Sequence, residues 1–74
     1  MEPKFEKDVK YRLTREVDAC VVDGQNCVLQ NDIDLNAETV LTFVEANEDG
    51  FVFSNEEGTN YRLHADDIDA VEEA

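Results

Sequence analysis

The chain has 74 residues, of which 19 are acidic and six are basic, and its formal net charge is −13 at pH 7. A chain of this length forms at most one domain and buries too little surface to enclose a large catalytic cavity. The negative charge argues against direct binding to nucleic acid and to anionic membrane surfaces, because both would repel it.

The negative charge is concentrated after the first fifteen positions. Residues 1–15 contain five basic and three acidic residues, giving a net charge of +2. Residues 16–74 contain sixteen acidic residues and one basic residue, Arg62, giving −15. The acidic residues are scattered among apolar ones, and hydrophobic residues make up 42% of the chain, which is enough for a folded core. We therefore expect a charged surface on a folded domain.

Apolar and polar residues alternate with a period of two, which predicts that most of the chain forms β-strands. The first strand is predicted at Val9, Tyr11 and Leu13, which alternate with polar residues. Residues 1–8 precede this pattern and are predicted to form an N-terminal tail. A single domain is therefore expected over residues 9–73.

A hairpin is predicted over residues 18–30, because Asp23-Gly24 is a strong signal for a two-residue turn. One face of this hairpin would carry both cysteines, which we interpret as small buried apolar residues. A cross-strand disulfide is the alternative, although a reducing cytosol disfavours it. The pairs expected from the turn are Val22 with Gln25, Val21 with Asn26 and Cys20 with Cys27.

The rest of the chain predicts a meander of short strands. Residues 39–46 are the stretch with the strongest preference for strand, because they are rich in branched and aromatic side chains. Short strands with turns at close spacing are typical of a small all-β barrel or sandwich. The later elements are predicted as a turn at 47–50, a strand at 51–53, a turn at 55–58, a strand at 60–64, a helical or 3₁₀ turn at 65–68 and a strand around 70–72.

The order of these elements resembles the Src-homology-3-like small barrel. Residues 32–45 resemble its diverging turn and second strand, residues 49–53 the start of its third strand, and residues 63–68 its 3₁₀ turn. The resemblance covers about residues 9–73. It implies a barrel of five or six strands with a 3₁₀ turn near residues 65–68.

The residues that bind proline-rich peptides in this family have no match in the chain. The family's Trp, Pro and Tyr positions correspond to Phe51, Ala65 and Ile68, and the early aromatic motif is absent. Proline-rich peptides bind in aromatic-lined grooves. The resemblance therefore implies the fold and a general capacity for binding, without implying this ligand.

Residue patterns typical of catalytic and metal sites are incomplete in this sequence. Asp32 and Asp34 fit the opening of a calcium loop, but its sixth and twelfth positions hold Ala37 and Phe43 in place of Gly and Glu. Two cysteines and one histidine are too few for a zinc site. We predict that the protein is not an enzyme and has no catalytic, cofactor-binding or metal-binding residues. No apolar run reaches the length of a membrane span or signal peptide, so a cytoplasmic location is expected.

The first functional hypothesis is a non-enzymatic interaction module that binds a basic surface of a partner protein. A sharper version is nucleic-acid mimicry, in which the carboxylates block a DNA- or RNA-binding groove. Small acidic inhibitors made by phages resemble the chain in size and charge. The alternative is a structural or accessory barrel subunit whose acidity serves solubility or salt adaptation. The predicted partner-binding residues lie in turns that would form two patches: Glu48, Asp49, Glu56, Glu57, Asp66 and Asp67.

Overall fold

The computed structural model describes residues 5–25 and 27–74, and this part of the chain forms seven β-strands and one 3₁₀ helix. The predicted all-β class and the predicted 3₁₀ turn are confirmed. The 3₁₀ helix spans Ala65–Ala70 and lies between the last two strands. The strands are β1 (Lys10–Leu13), β2 (Val17–Val22), β3 (Val28–Leu35), β4 (Val40–Asn47), β5 (Gly50–Ser54), β6 (Asn60–Leu63) and β7 (Val71–Glu73).

The strands form one antiparallel sheet in the order β3-β2-β6-β5-β4-β1-β7. The predicted closed barrel of five or six strands is wrong. The described residues form seven strands, and no hydrogen-bonded pairing among them joins β3 to β7. β7 has only three residues and β3 shifts register twice against β2, so neither edge offers a long regular ladder for closure.

The open sheet is strongly curled around one core. A flat sheet of seven strands would be about 29 Å wide, at about 4.8 Å per strand, and much thinner in the perpendicular direction. The Cα atoms instead span 26 × 23 × 23 Å, so the sheet bends over its own inner face. The core draws its buried residues from six strands and the 3₁₀ helix: Tyr11, Leu13, Val17, Ala19, Leu35, Leu41, Phe43, Phe53, Leu63 and Ala70.

Phe5 packs on the aromatic part of this core, although it lies in the segment predicted to be a tail. Its ring centroid lies 5.1–5.5 Å from the centroids of Tyr11, Phe43, Phe51 and Phe53. Most of these pairs are edge-to-face, which is a favourable arrangement for aromatic rings. Residues 1–4 lie outside the described residues, and the predicted boundary of the domain stays a prediction.

The β2–β3 hairpin has a different register from the predicted one. Val22 pairs with Val28 and Val21 pairs with Gln30, so the predicted register is wrong. Asn26, the predicted partner of Val21, lies outside the described residues. The two predicted strands of this hairpin do exist, but the second continues to the end of β3, beyond residue 30.

Asp23 explains the wider loop of the hairpin. Its carboxylate accepts hydrogen bonds from the N–H groups of Gln25 and Cys27, at 2.8 and 3.0 Å. Its own N–H donates to the Cys27 carbonyl at 3.0 Å, which closes a loop longer than two residues. Gly24 lacks the positive φ that a two-residue turn of the predicted type requires.

The observed register separates the two cysteines. Both are free thiols, and Cys20 is buried while Cys27 is exposed. The predicted burial is therefore confirmed for Cys20 and wrong for Cys27. Cys27 immediately precedes the first residue of β3 and belongs to the loop, where its side chain has no core to pack against.

Candidate functional site

The register brings several acidic residues to one end of the sheet. A row of cross-strand neighbours runs through Ile33, Ala19, Leu63, Phe51 and Ala46. Neighbouring strands are antiparallel. The residues that precede Ala19 on β2, and those that follow Leu63 on β6 and Ala46 on β4, therefore lie on one side of this row, at the same end of the sheet. We call the carboxylates there the acidic end: Glu16, Asp18, Asp34, Glu48, Asp49, Asp66 and Asp67.

Four of the six residues predicted to bind a partner belong to the acidic end. Glu48 and Asp49 form the turn between β4 and β5 and are exposed. Asp66 and Asp67 lie in the first turn of the 3₁₀ helix, which begins two residues after β6 ends. These two predicted pairs are therefore brought to the same end of the sheet.

The other predicted pair, Glu56 and Glu57, lies at the opposite end. It forms the turn between β5 and β6, beyond the cross-strand pair of Ser54 and Asn60. The Asn55 side chain fixes this turn by accepting a hydrogen bond from the Glu57 N–H at 2.9 Å. The predicted division into two patches agrees with this placement, and binding at either patch stays a prediction.

Gly50 holds the β4–β5 turn against β6. Its φ is +146°, and a Cβ added there would lie 2.1 Å from the Leu63 carbonyl oxygen, so only glycine fits this approach. On the other side of the turn, the Asn47 side chain accepts a hydrogen bond from the Asp49 N–H at 2.9 Å. Glu48 and Asp49 are therefore fixed beside the point where β6 leads into the 3₁₀ helix.

Arginine residues partly neutralise the negative charge on one flank of the acidic end. The Arg15 guanidinium lies 3.6 Å from the Asp67 carboxylate and 3.0 Å from that of Asp69. The Arg62 guanidinium lies 3.8 Å from the Asp49 carboxylate. Exposed ion pairs contribute little to stability in water, but they reduce the negative charge on the flank formed by the β4–β5 turn and the 3₁₀ helix.

The flank formed by β2 and β3 has no such compensation. Asp18 and Asp34 lie directly opposite each other on these strands, a position that brings Cβ atoms within about 5.5 Å. Within the described part of the chain, no ion pair joins Glu16, Asp18, Asp32 or Asp34 to a basic residue. A side-chain hydrogen bond with Asp18 raises the pKa of Asp34, and the charges of Asp18, Glu16 and Asp32 raise it further.

The sequence prediction missed Asp18 and Asp34 as site residues. The predicted hairpin ended at residue 30, and residues 32–45 were expected to begin with a diverging turn, whereas β3 extends to Leu35. A weak signal was present, because Asp32 and Asp34 alternate with Ile33 and Leu35 at the period of a strand. Asp is less frequent in strands than in other structures, so a segment with Asp at alternate positions is not readily identified as a strand.

Metal binding and membrane insertion find no support in the described residues. Among residues 5–25 and 27–74, no three His, Cys, Asp or Glu side chains are grouped so that they could hold a metal ion. The same part of the chain contains no helix long and apolar enough to cross a membrane.

Comparison with known proteins gives no relative from which a function could be transferred: no protein-family model matches the chain, and no curated protein or solved structure matches it significantly. The function must therefore be inferred from the geometry and charge of the acidic end.

Proposed function

We propose that this protein is a non-enzymatic acidic interaction module whose acidic end binds a basic surface of a partner protein. The observation that carries the proposal is the facing pair of Asp18 and Asp34. Like charges directly opposite each other on neighbouring strands destabilise a sheet. The raised pKa of Asp34 reflects its hydrogen bond with Asp18 and the repulsion between the two charged groups. A lysine or arginine side chain from a partner would relieve that repulsion.

The positions of Arg12 and Arg15 also support the acidic end as the binding surface. Arg12 forms an ion pair with Glu72 on β7, and Arg15 pairs with Asp67 and Asp69 of the 3₁₀ helix. These contacts lie on the side of the sheet order opposite to β3. Residues 16–35, which include β2 and β3, contain five acidic residues and no basic residue. The β2–β3 side is therefore the more strongly negative one.

The net charge of −13 adds a kinetic argument for a basic partner. A strong field of one sign accelerates the encounter with an oppositely charged surface, and salt weakens this effect. Binding through the acidic end should therefore be fast at low ionic strength and strongly sensitive to added salt.

A relationship to the Src-homology-3-like barrels is also part of the proposal. Its support is the order and pairing of the elements: β7 pairs with β1, a long β2–β3 hairpin precedes the β4–β6 meander, and a 3₁₀ helix leads into the last strand. This order agrees with the resemblance drawn from the sequence. Under this relationship, the acidic end would replace the aromatic groove as the binding surface.

The experiment that tests the proposal is capture of proteins from a lysate of the source cells on the immobilised chain, at low and at high ionic strength. The test variant carries Asp18→Asn and Asp34→Asn. The matched control carries Glu56→Gln and Glu57→Gln, which removes the same charge at the opposite end of the sheet. We expect a basic protein to be retained by the wild type and the control at low ionic strength and released by salt.

The test variant should retain much less of that protein. Equal retention by the test variant would contradict the proposal, and selective loss in the control would place binding at the Glu56–Glu57 turn instead. The nucleic-acid-mimic version additionally predicts that duplex DNA displaces the captured protein from the chain. A captured protein that binds duplex DNA and this chain simultaneously would contradict that version.

A further inference from the structure

β3 is an open edge of the sheet beside the acidic end. It is the first strand in the sheet order, and among the strands that the structure describes it pairs with β2 alone. Seven of its eight residues are at least partly exposed, and only Leu35 is buried. The N–H and C=O groups on its outer side therefore have no neighbouring strand within residues 5–25 and 27–74, and an edge of this kind is a template for pairing with another chain.

Two register shifts confine the regular part of this edge to the end of β3. One shift lies between Val21 and Val22 and the other between Ala19 and Val21, and β3 supplies the extra residue at each. Asp32, at the second shift, has a φ of 58°, a left-handed conformation that Asp tolerates better than most residues. Beyond the shifts, Ile33–Leu35 pairs regularly with β2. A further strand would therefore pair with this stretch.

The charges next to Ile33–Leu35 specify what such a strand must carry. Asp18 and Asp34 occupy neighbouring positions in one cross-strand row. A strand added outside β3 would place one of its side chains about 5 Å from Asp34 in the same row. A second copy of β3 is a poor occupant, because the only charged residues of this strand are Asp32 and Asp34. Lysine or arginine at that position would face two carboxylates.

We propose that the edge of β3 at Ile33–Leu35 accepts an extended segment of a partner protein that carries Lys or Arg at alternate positions. The main-chain hydrogen bonds of strand addition would hold the segment, and the carboxylates of Asp18, Asp32 and Asp34 would select its basic side chains. The same carboxylates would repel a second copy of this chain, so they discriminate between partners. This inference rests on the proposed function and adds the conformation of the partner's binding segment.

Synthetic peptides test the inference with the whole chain. The probe is a seven-residue peptide in which Lys alternates with Val and Thr. A second peptide has the same sequence and charge but N-methylated backbone amides, which cannot pair with a strand edge, and a third has Glu in place of Lys. Fluorescence anisotropy measures affinity, and amide NMR shifts locate the contact.

We expect the lysine peptide to bind and to shift the amide signals of Ile33, Asp34 and Leu35. The combined Asp18→Asn and Asp34→Asn variant should bind it about fivefold more weakly, which is the effect of two exposed charge pairs of ordinary strength. The Glu56→Gln and Glu57→Gln control should bind as the wild type does. The N-methylated peptide should bind several-fold more weakly, and the glutamate peptide should not bind.

Three results would overturn the inference: no binding of the lysine peptide, equal binding of the N-methylated peptide, or a dimer of the chain that pairs through β3. Equal binding of the N-methylated peptide would leave the proposed function intact, because charge alone would then explain the contact. If no basic protein were captured from lysate either, the proposed function would fail as well.

Discussion

Asp18 on β2 lies directly opposite Asp34 on β3, and the pKa of Asp34 is raised because protonated Asp34 can share a hydrogen bond with Asp18 and because the two charged carboxylates repel each other. Cross-strand positions of this kind stabilise a sheet when the two charges are opposite and destabilise it when they are alike. The described residues offer no arginine or lysine in an ion pair with either group. We therefore expect the pair to weaken the isolated chain at neutral pH, and under the proposed function it is the place where a basic side chain of the partner binds.

The first prediction is that Asp34→Asn stabilises the protein at neutral pH. Because the pKa of Asp34 is higher in the folded state than its ordinary value of 3.8, protonated Asp34 stabilises the fold at low pH. This contribution is lost as the pH rises through the folded-state pKa. The variant should therefore have a higher Tm than the wild type at pH 7, and the difference should shrink as the pH falls towards 3.8.

Thermal unfolding followed by circular dichroism between pH 3 and pH 8 measures this difference. Glu56→Gln serves as the control, since it removes one exposed carboxylate from a turn that has no facing acid across a strand pair. A Tm for Asp34→Asn below that of the wild type at pH 7 would show that the charged Asp34 carboxylate supports the fold.

The second prediction concerns the backbone of Gly50. Gly50→Ala should lower the free energy of unfolding by about 3 kcal/mol or more, because the new Cβ would collide with the Leu63 carbonyl oxygen. Gly58→Ala, whose φ is +86° but which faces open space, should cost about 1 kcal/mol. Gly24→Ala should change stability little, since no atom lies within 4 Å and its φ is unstrained. Urea titration gives all three values, and equal effects at the three positions would refute this explanation.

The third prediction is that Phe5 belongs to the folding unit. Phe5→Ala should reduce the free energy of unfolding by about 2 kcal/mol, because its half-buried ring packs against four other rings. Phe43→Ala, at a buried position, should cost about 3–5 kcal/mol. Val40→Ala is the surface control and should have little effect, since Val40 is exposed. A Phe5→Ala variant as stable as the wild type would mean that the Phe5 ring contributes nothing to the stability of the fold.

Much of the fold could be predicted from the sequence because β1 and the β4–β6 meander follow the simple period of a strand. Tyr11 and Leu13 are buried while Lys10 and Arg12 are exposed, and the turns after β4 and β5 lie where Gly, Asn and Asp cluster. In β1 one side chain in two faces the core, so the apolar pattern determines which face is buried. The meander departs from this period where β4 shifts register against β5 between Phe43 and Glu45, and the pattern gives no sign of that shift.

The β2–β3 hairpin could not be predicted in the same way. The Asp23 side chain captures two backbone N–H groups and widens the loop, and a local sequence pattern does not distinguish this from a two-residue turn. β3 is exposed along most of its length, and the apolar alternation that identifies a strand is confined to its last four residues, 32–35. The facing pair of Asp18 and Asp34 depends on this register, which explains why the site was only partly predicted.

The fourth prediction distinguishes an acidic surface used for binding from one that serves salt adaptation. The core of the curled sheet should keep the chain folded at low ionic strength. Added salt should raise Tm only modestly, by screening repulsion between carboxylates. Circular dichroism across a KCl series tests this. Unfolding at low salt with recovery in molar KCl would favour an acidic surface that serves salt adaptation.

The most direct measurement of the central claim is the pKa of Asp34 with and without a basic ligand. Carboxyl carbon NMR can follow the Asp34 side chain through a pH titration of the free chain and of the chain saturated with the lysine peptide. By linkage, a lysine that binds the charged carboxylates must lower the raised pKa of Asp34. The proposal predicts a clear fall in this pKa on saturation. An Asp34 pKa that is the same in the free and the saturated chain would show that the facing carboxylates are not where a basic partner binds.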